Sequence, residues 1–288
     1  MWDYHLNYHD SGQVREWVAE LERLGLSSIW IGEARFRDPL TFAGILLAAT
    51  TRLTVATGVA NIWVRDPFAM VAAQATLAEA YPDRFLLGLG VSHSLLVESR
   101  GHRYAKPLSV LRAYLDAMDG AWDAYQAVKP SPRPPHVLAA LGPRMLDLAA
   151  ERAAGAHTYL VPVVHTERAR RRMGSASLLV PEQAVVLDSN VERARALART
   201  HIRRYLPLAN YVNNLRRLGF DDRDFEGHGS DRLVDQLVVH GTAEEVLKRV
   251  DEHRQAGATS VCLNVISPWK KTFPLPHWRV LLGSDPPA

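Results

Sequence analysis

Apolar residues recur along the chain in two alternating arrangements, one a short unbroken run and the other spaced at intervals of three and four. The clearest case is Leu53 to His93, LTVATGVANIWVRDPFAMVAAQATLAEAYPDRFLLGLGVSH. Leu53 to Val59 is apolar and β-branched enough to be buried on both faces, as a parallel strand covered by helices must be. Asp66 suits an N-cap and Pro67 the first helical position, while Phe68, Val71, Ala72, Ala75, Leu77 and Ala78 form an apolar stripe at helical spacing that Pro82 stops. Phe85 to Leu89 then predicts a second strand running into Gly90-Val91-Ser92-His93. Glycine-containing polar loops follow both strands, and in parallel α/β proteins ligands bind beyond the carboxyl ends of strands.

The same alternation extends in both directions. Trp2, Tyr4, Leu6 and Tyr8 alternate with Asp3, His5, Asn7 and His9, a two-residue period that predicts a first strand through this stretch. Ser11 caps a helix ended by Gly25, Ser28 to Ile31 predicts a strand followed by Glu33, and Thr41 to Ala49 predicts the next helix. Leu95 to Lys106 reads as a long pocket-edge loop and Leu108 to Trp122 as a helix. His136 to Ala140 predicts a strand, and Leu141-Gly142-Pro143-Arg144-Met145 opens a helix through Ala154. Further strands are expected at Ala156 to Val161, Ala184 to Leu187 and Ser260 to Val265. Between them lie helices over His165 to Met173, from a Ser189 or Asn190 cap to Leu206, and after a Thr242/Glu245 capping box. An insertion at about 207–240 carries short helical pieces from Asn210 to Val239 and is expected near the same mouth.

About eight strands alternating with helices favour a closed (β/α)8 TIM barrel with rim insertions over an open doubly wound sheet. Against the open sheet, Gly88-Leu89-Gly90 has His93 where the third glycine of a dinucleotide fingerprint would stand. Such barrels occupy about 250 residues as one unit, so residues 1–288 read as a single domain.

Composition narrows the partners. A formal charge of +3 gives no strong field for nucleic acid or membrane, and the densest basic run, Arg168, Arg170, Arg171 and Arg172, reads as a solvated helix end. Cys262 is the sole cysteine and sits in an apolar run, as a small buried hydrophobe would. The start MWDYHLNYHD lacks a basic segment followed by an apolar one, and no apolar run reaches the roughly 18 residues of a spanning helix, so a cytoplasmic protein is expected. His5 and His9 lie four apart but lack a third ligand nearby, which favours pocket-wall roles over a metal.

If the barrel forms, Glu33, Thr57 to Asn61 and Val91 to His93 converge on one rim. Glu33 reads either as a hydrogen-bond acceptor or general acid, or as an ordinary loop carboxylate. His93 reads either as a group for proton transfer near neutral pH or as a satisfied structural histidine. Backbone amides around Gly142 and Pro143, with Arg144, would attract phosphate if this is more than a plain βα turn. Neither G-x-S-x-G nor H-E-x-x-H occurs, so cofactor chemistry is more plausible than a side-chain nucleophile. Tyr4, His5, Trp63, Tyr104, Tyr159 and Tyr211 suggest an apolar, aromatic-lined pocket for a small-molecule substrate.

Thr57-Gly58-Val59-Ala60-Asn61, the Arg65-Asp66-Pro67 turn, and Asp83-Arg84-Phe85 leading to Gly88-Leu89-Gly90 resemble the luciferase-like superfamily of flavin and deazaflavin oxidoreductases. The nearest likeness is to its actinobacterial branch dependent on coenzyme F-420, and it runs from Trp2 to about Trp278. The resemblance implies a flavin or deazaflavin across the barrel mouth and a bulge at Gly58-Val59 with an unusual peptide, a non-proline cis bond among the forms it takes. Cofactor contacts carry over to Ala56, Thr57, Gly58, Val59 and Asn61, and to Gly90, Val91, Ser92 and His93. The phosphate-holding segment corresponds to Ala140, Leu141, Gly142, Pro143, Arg144 and Met145. The activity implied is hydride transfer between coenzyme F-420 and an organic substrate, with proton roles for His93 or Glu33, in a homodimer. An FMN-dependent monooxygenase and a barrel that binds a ligand without turnover are the alternatives.

Overall fold

The alternation read from the sequence becomes a ring of parallel strands in the computed structural model, which describes residues 1–268 and 271–283. The strands are β1 (Trp2–Asp3), β2 (Ser28–Ile31), β3 (Thr54–Thr57), β4 (Ala60–Asn61), β5 (Phe85–Gly90), β6 (His136–Ala139), β7 (Gly155–Thr158), β8 (Leu178–Val186), β9 (Val238–His240) and β10 (Cys262–Val265). Eight pair side by side in the order β1-β2-β3-β5-β6-β7-β8-β10, while β4 adds to β5 and β9 to β8. Strand β10 lies against β1 and closes the ring, so the fold is the expected (β/α)8 barrel. The N-terminal ammonium donates to the Ser28 carbonyl at 2.8 Å and sits beside Cys262, which fixes the short first stave.

Local chemistry sets the helix starts. Asp66 accepts from Ala69 N–H with Pro67 at the first helical position, and Asp38 does the same for Thr41 ahead of Pro39. Asp10, one residue before the expected Ser11, accepts from Gln13 N–H. Thr242 and Glu245 form the full capping box.

Three stretches differ from expectation. The first strand stops at Asp3, because its carboxylate accepts from Leu6 N–H at 2.9 Å and pairs with His5 Nδ1 at 3.0 Å, turning His5–Tyr8 into a 3-10 helix. Strand β8 is nine residues long rather than the four of Ala184 to Leu187, since the polar Glu182 and Gln183 are buried within it and hydrogen-bonded there. Part of the expected rim loop, Ser94–Glu98, is helical.

Trp30, Ala56, Val137, Val180 and Cys262, from five different strands, fill the barrel interior. A larger cluster lies between strands and outer helices. A further one joins the insertion residues Tyr211, Leu215, Phe220, Leu233 and Val234 to Val186, Val238 and the helix Val191–Ile202. Among the described residues no helix is long and apolar enough to cross a membrane.

Candidate active site

The site begins where β3 leaves its neighbour. Val55 and Ala56 pair with Phe85 and Leu86, but at Thr57 the hydroxyl takes over: Oγ1 donates to Gly88 O at 2.7 Å and accepts from Gly88 N–H at 2.8 Å. A Cβ on Gly88 would stand 2.1 Å from Thr57 O, so only glycine permits this approach. The chain then bulges outward through a cis Gly58–Val59 peptide, as the resemblance implies, and rejoins β5 as β4. Both bulge carbonyls are held, Gly58 O by the Trp2 indole N–H at 2.9 Å and Val59 O by Glu33 N–H at 3.3 Å. Thr57→Val keeps the side-chain shape but leaves two buried backbone groups of Gly88 unpartnered. A loss of about 3 kcal/mol is expected in urea unfolding, and an unchanged midpoint would show that the hydroxyl does not carry this junction.

The bulge forms one wall of a cavity of about 400 Å³ at the carboxyl ends of the strands. Gly58, Val59 and Asn61 line that wall, Gly90, Val91, Ser92 and His93 the next, and Ala140, Leu141, Gly142 and Met145 the far end. Tyr4, Tyr104, Tyr159 and Tyr211 also face it. Six expected residues stand elsewhere. Ala56 is wholly buried in the barrel interior and Thr57 behind the wall against Gly88. Pro143 and Arg144 are exposed on the outside of the helix Pro143–Arg152. His5 is buried against Asp3 by the turn that ended β1. Trp63 supports the wall from behind, donating its indole N–H to Val91 O at 3.1 Å.

Glu33 and His93 both reach the cavity, in different states. Glu33 Oε2 accepts from Arg65 Nη1 at 2.8 Å and from Asn61 N–H at 2.8 Å, and Arg65 also pairs with Asp38. This carboxylate therefore fixes β4 and the following turn. His93 follows the left-handed Ser92 (φ 57°) and caps Ser94–Glu98 through its backbone, leaving the imidazole beside Tyr211, ring centroids 5.6 Å apart. Burial lowers its pKa from the ordinary 6.5, partly offset by a hydrogen bond with the Asn210 side chain. The ring is thus neutral at neutral pH and able to accept a proton.

Sequence reasoning missed Trp2, Phe36, His157, Tyr205 and Asn210 in this lining. His157 and Tyr159 are two apart on an inward-facing stretch of chain, a spacing that was legible but not used. His157 Nδ1 lies 2.8 Å from Val180 O, which can only accept, so Nδ1 carries the proton and Nε2 is a bare acceptor with no partner among the described residues. Tyr205 and Asn210 flank Pro207 at the entry to the insertion, and bring that segment to the mouth as expected. The basic run lies at the end of the helix Val163–Met173 as expected, with Arg168, Arg171 and Arg172 exposed, and it also holds other chain: Arg168 donates to Arg217 O, Arg170 to Gly257 O and Arg172 to Pro143 O.

The far end of the cavity suits an anion. Gly142 is the N-cap of its helix without a side-chain cap, and Arg217 Nη1 lies 3.6 Å from where a Gly142 Cβ would stand. At the near end, Gly90 lacks the Cβ that would meet Val59 Cγ2 at 2.5 Å, so the bulge can settle flat against β5. An aromatic-lined slot with an anion-binding end fits a planar ring carrying a phosphate tail.

Comparison with known proteins agrees. A protein of Mycobacterium tuberculosis assigned by inference as a coenzyme F-420-dependent oxidoreductase is 32% identical over 54% of this chain and 42% of its own length. The match thus spans less than half of that relative. A 5,10-methylenetetrahydromethanopterin reductase of Archaeoglobus fulgidus is 24% identical over 90% of this chain and 91% of its own. The coenzyme F-420-dependent tetrahydromethanopterin reductase of Methanopyrus kandleri superposes with a TM-score of 0.77 at 15% identity, covering 96% of this chain and 95% of that one, a likeness of fold. The luciferase-like monooxygenase profile matches residues 4–260, and the chain belongs to that family.

Proposed function

We propose that this enzyme transfers a hydride between coenzyme F-420 and a small organic substrate. The observation that carries the reading is the single cavity joining the glycine-built bulge at Gly58-Val59 to the uncapped helix start at Gly142. Relatives named for coenzyme F-420 support the deazaflavin over FMN. The bound deazaflavin would supply a carbon centre that gives and takes hydride, chemistry that no side chain here provides.

The chain's own residues do the rest. Gly58 and Val59 would back the ring, with Trp2 and Glu33 keeping their carbonyls occupied. The Gly142 and Arg144 N–H groups and the Arg217 guanidinium would hold the phosphate, where the sequence had suggested the Arg144 charge. Tyr4, Tyr104 and Tyr211 exclude water from the slot. His93 takes the proton that accompanies oxidation of the substrate, or returns it in reduction, while Glu33 positions β4.

Titration of the purified protein with coenzyme F-420 and with FMN tests this. Tighter binding of the deazaflavin is expected. Tighter binding of FMN would favour a monooxygenase, and binding of neither would favour a barrel that holds a ligand without turnover.

A further inference from the structure

A chain of buried polar groups runs from inside the barrel to the cavity wall, and the proton-transfer reading leaves it unused. Glu182 of β8 is 1% exposed, accepting from Asn264 Nδ2 at 2.8 Å and from Leu160 N–H at 3.1 Å. The same Asn264 amide nitrogen reaches Tyr159 OH at 3.3 Å, and Tyr159 OH lies 2.7 Å from Tyr205 OH. Both tyrosine rings line the cavity.

Counting hydrogens along this chain fixes what it can offer. The Asn264 NH2 group can only donate, so Tyr159 OH accepts from it. One hydroxyl of the tyrosine pair donates to the other. If Tyr159 donates, the Tyr205 hydrogen is left over; if Tyr205 donates, the Tyr159 hydrogen is. Either arrangement leaves one O–H hydrogen at the cavity wall, and no third partner for either hydroxyl occurs among the described residues. Burial raises both phenols above their ordinary pKa, so the hydrogen stays in place across the working pH range.

The surroundings narrow the acceptor. Among the described residues no lysine or arginine lines the cavity, and the Glu182 carboxyl acts on both hydroxyls of the pair. A carboxylate or phosphate oxygen would have to face that carboxyl and compete with Tyr4 for Arg204, whose charge also reaches Tyr205. A neutral oxygen would not.

Deepening the hydride-transfer reading, on which it rests for the reaction, we propose that the Tyr159–Tyr205 hydroxyl pair binds a carbonyl oxygen of the substrate. That places the substrate among neutral carbonyl compounds and the alcohols they form. Asn264 and Glu182 are positioning residues that orient the pair.

The test uses acetophenone and ethylbenzene, of similar shape but with and without the oxygen, and follows quenching of tryptophan fluorescence. Trp2 reports directly, since its ring lies 5.1 Å from that of Tyr159. Titrations are run on the protein alone and saturated with coenzyme F-420. In the double variant Tyr159→Phe/Tyr205→Phe, acetophenone should bind about tenfold more weakly than to the unaltered protein, with ethylbenzene and coenzyme F-420 affinities unchanged. Equal losses for both probes, or none for acetophenone, would overturn the proposal. So would an acetophenone advantage that disappears once coenzyme F-420 is bound, because the hydroxyl would then serve the cofactor. If the double variant does not fold, the carbonyl stretch of acetophenone bound to the unaltered protein decides. It should lie at lower wavenumber than in hexane, and an unshifted band would refute the contact. Absence of coenzyme F-420 binding would instead count against the reading of the reaction and leave the hydroxyl result standing.

Discussion

His93→Ala should slow turnover by roughly a hundredfold or more while leaving coenzyme F-420 affinity nearly intact, the usual size of a general acid–base contribution. The imidazole stands at the carboxyl end of β5, lines the cavity, and is held by Asn210 from the insertion. Burial keeps its pKa below the ordinary 6.5, so in the oxidative direction kcat/KM should hold through neutrality and fall only at lower pH. Loss of that acid limb in His93→Ala would tie it to this ring. Glu33→Gln is the comparison, because its carboxylate is bound to Arg65 and to Asn61 N–H. It should weaken the cofactor site more than it changes the pH profile. Normal turnover in His93→Ala alongside a dead Glu33→Gln would transfer the proton role to Glu33.

Acidification from pH 7 to about 4.5 should strip the protein of several kcal/mol of stability. His157, His201 and His253 are each at most 3% exposed, and burial pushes their pKa values from 6.5 down to about 4, about 3 and about 4. In the unfolded chain these rings take up protons near pH 6.5, whereas in the fold they stay neutral until well below it. Between those limits the unfolded state binds more protons, so stability falls as pH falls. Each ring contributes on the order of 3 kcal/mol. Glu182 acts in the opposite sense, because burial raises its pKa to about 7 despite the donors on both oxygens. Its proton is retained in the fold and lost from the unfolded chain above about pH 4.5, which favours the fold at the acid end. Three histidines outweigh one carboxyl. Urea midpoints at pH 7 and pH 4.5 measure the balance, and a flat profile would mean that these rings can be charged inside the fold.

What could be read from the sequence was local. The Asp66-Pro67 start, the Thr242 to Glu245 box and the strand from Ser28 to Ile31 each depend on residues within one turn or one run, and each formed as expected. The rim segments after β3, β5 and β6 followed from strand alternation, because parallel order places all three strand ends on one side. What stayed hidden depends on partners far along the chain. Leu178 to Gln183 does not look like strand because Glu182 and Gln183 are polar, and their partners lie far along the chain, Asn264 and His253 about 70 residues or more away among them. Alternation at Trp2 to Tyr8 misled for the converse reason: Asp3 captures a backbone amide three residues on, and short-range capping overrides a two-residue period. Ala56 and Thr57 belong to the cofactor segment by order along the chain, yet the pleat turns Ala56 into the barrel and Thr57 toward Gly88.

The insertion carries much of its own apolar packing through Leu215, Phe220, Leu233 and Val234, yet contributes Asn210 and Tyr211 to the cavity. The segment from Pro207 to His240 is therefore tied to the chemistry as well as to the mouth, since Asn210 bonds His93 and Arg217 stands beside Gly142. Exchanging it whole would disturb the histidine and the anion end together. A different substrate is better sought at single lining positions such as Tyr211 than by recombining the segment.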